Sequence, residues 1–410
     1  MGITSNPHIF LSAGEASGDH YGAQIISELT RRHPGATFFG LGGSEMEAAG
    51  QRRVIRAEDV AVMGITEILR HIPHIYASYR KLVAAIKAER PAAAILIDFP
   101  DVNFRLAKHC KRLGIPVLWF VSPQLWAWKR RRLRWVQQRV DRMLVIFPFE
   151  AQFYRARNVD AEFVGHPLAS LPLPTSPRSE YASRYDLDPT MPWIALLPGS
   201  RWKEIRLNLP EMLDTAVRLP DGAEYLLPVA TTIDREQLQH MVTDQLESRH
   251  KEVRPSLSLP TIRLVPDARE ALHHARASLV ASGTATVQAL LIGNPFVVVY
   301  RVSPTTFALA KLLVAYPREI PAPKDDHGNL PIAMVNLIAG RRIVPEFINQ
   351  HFNSANVAPA LTLLLADSPR RAAMLADLAQ ARATLLPPAN STPIERVADA
   401  VDQLLNRPSK

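Results

Sequence analysis

The sequence predicts an α/β protein built of two tandem, doubly wound parallel-sheet domains. Two observations predict this fold. In both halves of the chain, short apolar runs typical of buried strands alternate with amphipathic helical patterns, as in βαβ units whose helices cover both faces of a parallel sheet. Between the halves, residues 168–178 contain several prolines and no periodicity, which indicates an interdomain linker.

Each half supplies its own series of predicted elements. The first half has strands at 8–13, 36–40, 93–98, 116–121 and 142–147, and helices near 17–32, 74–89, 103–113, 129–140 and 149–157. The second half has strands at 193–197, 223–229, 262–265, 277–282 and 295–300, and helices at 204–218, 234–247, 268–275 and 284–292. A loop is expected over 314–330 and helices from about 355 onward. Two such domains are expected to bind a ligand between them, at the carboxyl ends of facing strands.

The composition is that of a globular protein. Of the 410 residues, 47% are hydrophobic and 21% are charged, which excludes wholesale disorder. No apolar run approaches the ~18 residues needed to cross a bilayer, and the first residues lack the pattern of a signal peptide. The single cysteine, Cys110, cannot form an intrachain disulfide and fits a reducing compartment. We therefore expect a cytoplasmic protein.

The formal net charge of +9 is unevenly distributed. Seven basic residues and one acid lie within 129–142, where Leu133, Val136 and Val140 recur at helical spacing. The segment therefore predicts an amphipathic helix with a cationic face. Its partner is a nucleic acid, an anionic membrane surface or an anionic substrate, and the alternative is a solvated surface helix.

The turn Ser12-Ala-Gly-Glu-Ala-Ser-Gly-Asp19 joins the first predicted strand to the first helix. Gly14 and Gly18 allow close backbone approach, and the amides of the helix N-terminus favour an anion or a polar sugar. Glu15 and Asp19 add two carboxylates to the same turn. Acid–base chemistry and hydroxyl recognition are therefore as consistent with this pattern as phosphate binding.

Asp98 is the strongest catalytic candidate. It ends the apolar strand 93–98, at the sheet edge that faces the predicted crevice, and a carboxylate beside apolar neighbours is suited to act as a base. The alternatives are that Asp98 caps the next helix, a role for which Asp101 is better placed, or that His166 is the base.

Two strand-to-helix turns in the second half predict a phosphate site. Leu197-Pro-Gly-Ser-Arg201 offers backbone amides, a hydroxyl and a guanidinium that can bind phosphate through two hydrogen bonds. Ser282-Gly-Thr-Ala-Thr286 repeats the arrangement. Two such turns in one domain favour a nucleoside diphosphate. We expect no metal at Asp325, Asp326 and His327, because adjacent side chains rarely converge on one ion.

Taken together, these segments resemble the lipid-A-disaccharide synthase family of inverting glycosyltransferases. Further matching motifs follow in family order across about residues 8–350: Phe39-Gly-Leu-Gly-Gly43, Val62-Met-Gly-Ile-Thr-Glu67, Ile97-Asp-Phe-Pro-Asp-Val-Asn-Phe104, Val121-Ser-Pro-Gln-Leu-Trp-Ala-Trp128, Phe147-Pro-Phe-Glu150, Phe163-Val-Gly-His-Pro-Leu168, Asn336-Leu-Ile-Ala-Gly340 and Val344-Pro-Glu346.

The resemblance implies a two-Rossmann, GT-B type fold with the ligand cleft between its domains. It implies an acceptor and lipid domain over 1–168, a UDP-sugar domain over 180–351, and C-terminal helices, about 352–410, that pack back on the first domain and support a homodimer. The implied reaction transfers 2,3-diacylglucosamine from UDP-2,3-diacylglucosamine to the 6-hydroxyl of 2,3-diacylglucosamine 1-phosphate (lipid X). The products are a β-1,6 disaccharide and UDP, and the reaction uses no cofactor or essential metal.

The resemblance also implies roles for individual residues. Asp98 acts as the catalytic base, supported by Glu15. The implied donor contacts are Gly199, Ser200, Arg201, Glu204, Ser282, Gly283, Thr284, Gln288, Asn336 and Glu346. The implied acceptor and lipid contacts are Gly14, Ser17, Gly64, Asn103, Gln124, Ile65, Ile68, Leu69 and Ile72. The isoleucines and the leucine receive acyl chains, dip into the bilayer surface or pack in the core. For the basic segment we expect a peripheral contact with the anionic surface of the inner membrane, and no nucleic acid, through Lys129, Arg130, Arg131 and Arg134.

The departures from the family pattern lie on the donor side. Gln288 stands where the family usually has a glutamate expected on the ribose hydroxyls, and Asn349 stands where glutamine is usual. Two rival functions remain open at this point. One is a UDP-sugar 2-epimerase on the same fold, and the other is a non-enzymatic glycolipid-binding relative.

Overall fold

A computed structural model of the chain describes residues 6–61, 68–220, 222–253, 259–387 and 391–406. The chain forms two compact units. The first unit comprises Met1–Ser170 together with Leu385–Lys410, and the second comprises Leu171–Thr384.

Within the described residues, the first unit contains a seven-stranded parallel sheet of order β3-β2-β1-β4-β5-β6-β7. Its strands are β1 (His8–Ala13), β2 (Thr37–Gly42), β3 (Gln51–Arg56), β4 (Ala93–Ile97), β5 (Val117–Phe120), β6 (Arg142–Val145) and β7 (Ala161–Phe163). The second unit contains a six-stranded parallel sheet of order β10-β9-β8-β11-β12-β13. Its strands are β8 (Trp193–Leu197), β9 (Glu224–Pro228), β10 (Ile262–Val265), β11 (Ala277–Ala281), β12 (Phe296–Tyr300) and β13 (Glu346–Ile348).

Helices connect successive strands in both units, and the last three helices follow the final strand. They are α1 (Ala16–Arg32), α2 (Ser44–Ala48), α3 (Glu58–Ala61), α4 (Ile68–Glu89), α5 (Pro100–Arg112), α6 (Leu133–Arg139), α7 (Pro148–Arg155), α8 (Arg178–Tyr185), α9 (Trp202–Arg218), α10 (Arg235–Val253), α11 (Ala268–His274), α12 (Thr284–Ile292), α13 (Pro304–Leu313), α14 (Met334–Ala339), α15 (Ser354–Leu365), α16 (Pro369–Leu385) and α17 (Pro393–Leu405). None of the helices in the described ranges is long and apolar enough to span a bilayer.

The central strands explain why both sheets form. Every residue of β4, β8 and β11 is buried, as expected for strands covered by helices on both faces. The strand order reverses between β1 and β4 in the first sheet and between β8 and β11 in the second. At such a switch point the loops after the two strands diverge and leave a crevice, which is where open α/β sheets bind ligands.

The predicted doubly wound fold is confirmed, with three differences in detail. The polar or very short edge strands β3, β7 and β13 were not predicted. The basic segment forms a 3₁₀ turn at Arg130–Arg132 followed by the short helix α6, rather than one helix over 129–140. Of the C-terminal helices expected on the first unit, only α17 belongs to it, whereas α15 and most of α16 lie in the second.

Ion pairs fix α17 onto α1 within the first unit. Arg32 pairs with Asp399 and Asp402 at 2.6 and 3.0 Å, and His33 Nε2 lies 2.7 Å from Asp402. The return of the chain to the first unit is further held by the Arg396–Glu162 ion pair and by the buried apolar residues of α17.

Candidate active site

The switch point of the first sheet brings the two predicted catalytic carboxylates to one crevice. Glu15 follows β1 as the N-cap residue of α1, and its side chain is exposed and makes no capping hydrogen bond. Asp98 directly follows β4, which pairs with β1. The two residues interact electrostatically, as described below for the pKa of Asp98. The structure therefore brings Glu15 and Asp98 to the same sheet edge, and their catalytic roles stay a prediction.

Asp98 lies in a strained turn. Asp98 and Phe99 both adopt the left-handed backbone conformation, with φ of 44° and 47°, which costs a non-glycine residue of order 1–3 kcal/mol. Asn103 of α5 holds the turn, because its amide donates to the carbonyl oxygens of Asp98 at 2.8 Å and Ile97 at 3.2 Å. Strain that is held in place at a switch point is typical of a functional site.

Asn103 is itself fixed by Ser12 of β1. The Ser12 hydroxyl donates to Asn103 Oδ1 at 2.7 Å, and both residues are completely buried. Asn103 was predicted to contact the acceptor, and this prediction is wrong for a direct contact, because its amide is buried and bonded to the protein. Sequence reasoning missed Ser12, although a serine in the middle of an apolar strand indicates a buried partner.

Gly14 packs against the same turn. A Cβ atom at Gly14 would lie 2.5 Å from the Phe99 ring, closer than any side chain can approach. Glycine is therefore required here by the fold, and its predicted role as an acceptor contact is limited to its backbone.

The environment of Asp98 makes it a weaker acid than a free carboxyl group. Burial, and secondly the negative charge of Glu15, raise the pKa of Asp98 from 3.8 to about 6, against the lowering effect of the Phe99 amide. At neutral pH the group is still ionised, and it is basic enough to accept a proton.

Asp19 has a structural role rather than one in chemistry. Its carboxylate accepts the backbone amides of Gly43 at 2.7 Å, Glu45 at 3.0 Å and Met46 at 3.1 Å, which caps α2. The carboxylate is buried, so the hydroxyl recognition considered for it from the sequence is wrong.

The remaining acceptor predictions divide by position. Ser17, in the first turn of α1, and Gln124, after β5, are exposed. Gly64 and Ile65 lie outside the described residues. Ile68, Leu69 and Ile72 lie in the first turns of α4, where the structure describes the backbone only.

A buried carboxyl group anchors the loop that carries Gln124. Glu150 Oε1 accepts the Ser122 hydroxyl at 2.7 Å and the Trp126 indole N–H at 3.0 Å. Burial raises the pKa of Glu150 to about 7, although these bonds oppose the change. Sequence reasoning did not single out Glu150 itself, whose signal is an acid within an otherwise apolar, aromatic motif.

His166 is buried, and burial lowers its pKa to about 4. Its Nδ1 accepts the Leu168 amide at 3.2 Å. These contacts favour a structural role over that of the alternative base.

The basic segment exposes the four residues predicted to face a membrane, which are Lys129, Arg130, Arg131 and Arg134. Lys129 lies over the ring of Trp128, which is 43% exposed. Other cations of the segment serve the fold instead: Arg132 pairs with Asp101 at 2.6 Å, and Arg139 donates to the Phe104 carbonyl at 3.0 Å. The exposed charge is therefore concentrated at the start of the segment.

The switch point of the second sheet carries the two predicted phosphate turns. Gly199 has φ of 125°, and a Cβ atom there would lie 2.5 Å from Glu204 Oε2, so the turn requires glycine. Glu204 accepts the Ser200 amide at 3.1 Å and lies 3.4 Å from Arg201, whose side chain is 72% exposed. Glu204 thus fixes the turn through the Ser200 amide and lies beside the Arg201 guanidinium, which faces solvent directly before α9.

The neighbouring turn after β11 leads into α12. Ser282 donates to the Ile332 carbonyl at 3.2 Å, while Gly283 and Thr284 are exposed at the helix N-terminus. Gln288, one turn further along α12, is half-buried. The exposed amides and the positive end of the α12 dipole suit a phosphate group.

Two predicted donor contacts have a different role. Asn336 is buried, and its amide donates to Glu346 Oε1 at 2.7 Å and to the Val344 carbonyl at 3.0 Å. The Glu346 side chain is fully buried, accepts the amides of Ile332 and Ala333, and pairs with Arg342 at 2.9 Å. The prediction that Asn336 and Glu346 contact the donor is wrong, because both are enclosed while holding the chain beside Ser282.

No group of three or more His, Cys, Asp or Glu side chains within the described ranges could hold a metal ion. Asp325 instead accepts the backbone amides of His327 at 3.0 Å and Asn329 at 2.7 Å, which closes its own loop.

The fold defines the class of protein. CalG4, the calicheamicin glycosyltransferase, has a TM-score of 0.59 at 17% identity, covering 98% of this chain and 99% of that chain. The Staphylococcus aureus MnaA–UDP structure has a TM-score of 0.59 at 11% identity and covers 98% of both chains. The chain therefore has the GT-B fold of glycosyltransferases, although at these identities the likeness shows the fold alone.

Sequence comparison identifies the family. The lipid-A-disaccharide synthetase family matches residues 9–397. The lipid-A-disaccharide synthase of Acidobacterium capsulatum is 52% identical over 99% of this chain and 98% of its own length, and that of Koribacter versatilis is 44% identical over 97% and 99%. The chain belongs to the lipid-A-disaccharide synthase family and is a glycosyltransferase. Neither the epimerase nor the non-enzymatic carrier is favoured.

Proposed function

We propose that the chain transfers 2,3-diacylglucosamine from UDP-2,3-diacylglucosamine to the 6-hydroxyl of lipid X, with Asp98 as the general base. The observation that carries the proposal is the held, strained turn that presents Asp98, with its raised pKa, at the switch point of the first sheet. The products are the β-1,6 disaccharide 1-phosphate and UDP.

Asp98 takes the proton of the acceptor hydroxyl as its oxygen forms the bond to the anomeric carbon. The bond from that carbon to the UDP oxygen breaks on the opposite face, which inverts the configuration. A base with a pKa near the working pH is best suited to this transfer, and such catalysis contributes about 10²–10⁴-fold in rate. Exposed Glu15 orients the acceptor and raises the basicity of Asp98.

The second unit stabilises the leaving group. Negative charge builds on the departing diphosphate, and it is met by the Arg201 guanidinium and by the amides of Gly283 and Thr284 at the start of α12. Gln288 offers an amide to the ribose hydroxyls. We propose that these groups replace a metal, so that transfer proceeds without an added cofactor, and activity in the presence of EDTA tests this.

A single incubation tests the proposed reaction against both rivals. The protein is mixed with UDP-2,3-diacylglucosamine and lipid X, and the products are separated by mass and by stereochemistry. Disaccharide and UDP support the proposal. A changed sugar without acceptor supports an epimerase, and binding without turnover supports a glycolipid carrier.

We further propose that the exposed cations Lys129, Arg130, Arg131 and Arg134 hold the protein peripherally at the anionic cytoplasmic surface of the inner membrane. Each basic residue near such a surface contributes about 1 kcal/mol, so the attraction is reversible and weakened by salt. The half-exposed ring of Trp128 beside Lys129 suits the interface.

The test is sedimentation with phosphatidylglycerol vesicles at rising salt. The triple change Arg130→Glu, Arg131→Glu and Arg134→Glu is expected to abolish sedimentation. A control with the same change in net charge uses the exposed residues Arg56, Arg80 and Lys81, each changed to Glu, and is expected to sediment like the unmodified protein. Equal loss in both variants would reject a specific surface.

We also propose that the chain is a homodimer through its C-terminal segment. Sedimentation equilibrium of the full chain tests this, and a monomer at micromolar concentration contradicts it.

A further inference from the structure

Helix α13 of the second unit exposes an apolar face. None of its residues is buried, and Leu309, Leu312 and Leu313 are 55%, 80% and 53% exposed. Their spacing of three and four residues places them on one side of the helix. Exposed apolar residues scattered singly need no explanation, but a contiguous leucine face indicates a binding surface. We name Leu309, Leu312 and Leu313 the leucine face.

Hydrogen bonds tie the residues just before α13 to the turn after β8. The Arg301 amide donates to Asn208 Oδ1 at 2.9 Å, and the Asn208 amide donates to the Pro198 carbonyl at 3.0 Å, directly before Gly199. The Ser303 hydroxyl then caps α13 by accepting the Thr306 amide at 3.2 Å. These bonds hold the segment that leads into α13 close to the phosphate turn after β8.

The order of the sheet places this helix beside the donor site. Strands β8, β11 and β12 are adjacent and parallel, so their carboxyl ends lie along one edge. The first two ends carry the phosphate turns, and the third leads within a few residues to α13. At that third end, burial and the nearby charge of Glu204 raise the pKa of Tyr300, and Arg201 acts on it in the opposite direction. The start of α13 therefore lies at the same sheet edge as the turns proposed to bind UDP, and the leucine face follows further along this helix.

We propose that the leucine face receives fatty acyl chains of the UDP-sugar donor. This inference rests on the proposed function, which places UDP at the turns after β8 and β11. A donor held there extends its acylated sugar away from the diphosphate, and burying its chains against leucine side chains removes apolar area from water on both partners. Acyl recognition on the donor unit makes the protein select an acylated donor over an unmodified UDP-sugar.

The test compares two ligands on two variants by titration calorimetry. The triple variant Leu309→Ser, Leu312→Ser and Leu313→Ser is expected to bind UDP as the unmodified protein does, and to bind UDP-2,3-diacylglucosamine at least tenfold more weakly. The matched control changes Leu363 and Leu375, leucines on other helices of the same unit that are 52% and 38% exposed, to Ser. The control is expected to leave both affinities unchanged. Thermal unfolding of all variants checks that the folds are equal.

The other outcomes overturn the inference and are distinguishable. An equal loss for UDP and for the acylated donor means that the helix supports the nucleotide site only. Unchanged affinities with lost sedimentation on substrate-free phosphatidylglycerol vesicles assign the face to the bilayer, and unchanged affinities with a changed mass in sedimentation equilibrium assign it to a second copy of the chain. If the unmodified protein binds neither ligand, the proposed function fails rather than this inference.

Discussion

Removing the Asn103 side chain tests whether the catalytic turn is held by the buried amide. In Asn103→Ala, the carbonyl oxygens of Ile97 and Asp98 each lose a hydrogen-bond donor. The Ser12 hydroxyl loses its acceptor. Each buried polar group left without a partner costs about 1–3 kcal/mol. The two carbonyls alone correspond to about 2–6 kcal/mol, and we expect the free energy of unfolding of the first unit to fall by about this amount.

The turn itself is expected to relax in this variant. The left-handed conformations of Asp98 and Phe99 cost about 1–3 kcal/mol each. The free energy lost with the Asn103 hydrogen bonds is comparable to this strain energy, so the turn is no longer held. We therefore expect kcat to fall at least tenfold, while UDP affinity, which we propose depends on the second unit, stays unchanged. Urea unfolding, steady-state kinetics and UDP titration measure the three quantities.

A matched control changes an exposed amide. Asn356→Ala removes an exposed side chain with one hydrogen bond to the His351 carbonyl, so we expect a loss below about 1 kcal/mol and normal kcat. In addition, Ser12→Ala and Asn103→Ala are expected to be strongly non-additive, because they remove the same hydrogen bond. An Asn103→Ala protein with both the stability and the kcat of the unmodified chain would refute the reasoning.

Three further predictions concern other residues. In Glu15→Gln the pKa of Asp98 falls, since a like charge is removed. Burial is the larger cause of the rise from 3.8 to about 6, so the acid limb of kcat/KM is expected to move down by less than about 1 pH unit. An upward move would contradict the assignment. Gln288→Glu restores a carboxylate toward the ribose hydroxyls and is expected to tighten UDP binding by titration, whereas weaker binding would remove that contact from the account. Asp19→Asn weakens the cap of α2 and is expected to lower the free energy of unfolding by about 1 kcal/mol at pH 7 without changing kcat at saturating substrate, and a large loss of kcat would return Asp19 to the chemistry.

The sequence predicted the central strands well, because strands buried on both faces are continuous apolar runs. Strands β4 and β8 are of this kind. It failed for β3, whose sequence Gln51-Arg-Arg-Val-Ile-Arg56 is mostly polar and lies at an edge of the sheet, where only one side of the strand is paired. Edge strands are specified by tertiary pairing more than by their own pattern.

The limits of the site prediction have a different cause. Asp98 and Arg201 follow buried strands at a switch point, so topology alone directs them to a crevice. Asn103, Asn336 and Glu346 also lie in the family's motifs, but their hydrogen bonds go to backbone and side-chain groups of the same unit. A polar side chain has the same identity in the sequence whether it binds a ligand or holds the loop that does, and only the coordinates distinguish the two.

The central claim is that Asp98 takes the proton of the acceptor hydroxyl, and transfer by Asp98→Asn tests it most directly. Asparagine keeps the shape of the side chain but cannot accept the proton, so disaccharide formation is expected to fall 10²–10⁴-fold, or about 3–5 kcal/mol of transition-state stabilisation, with UDP affinity and unfolding temperature no lower than in the unmodified protein. Turnover within tenfold of the unmodified protein would contradict the account.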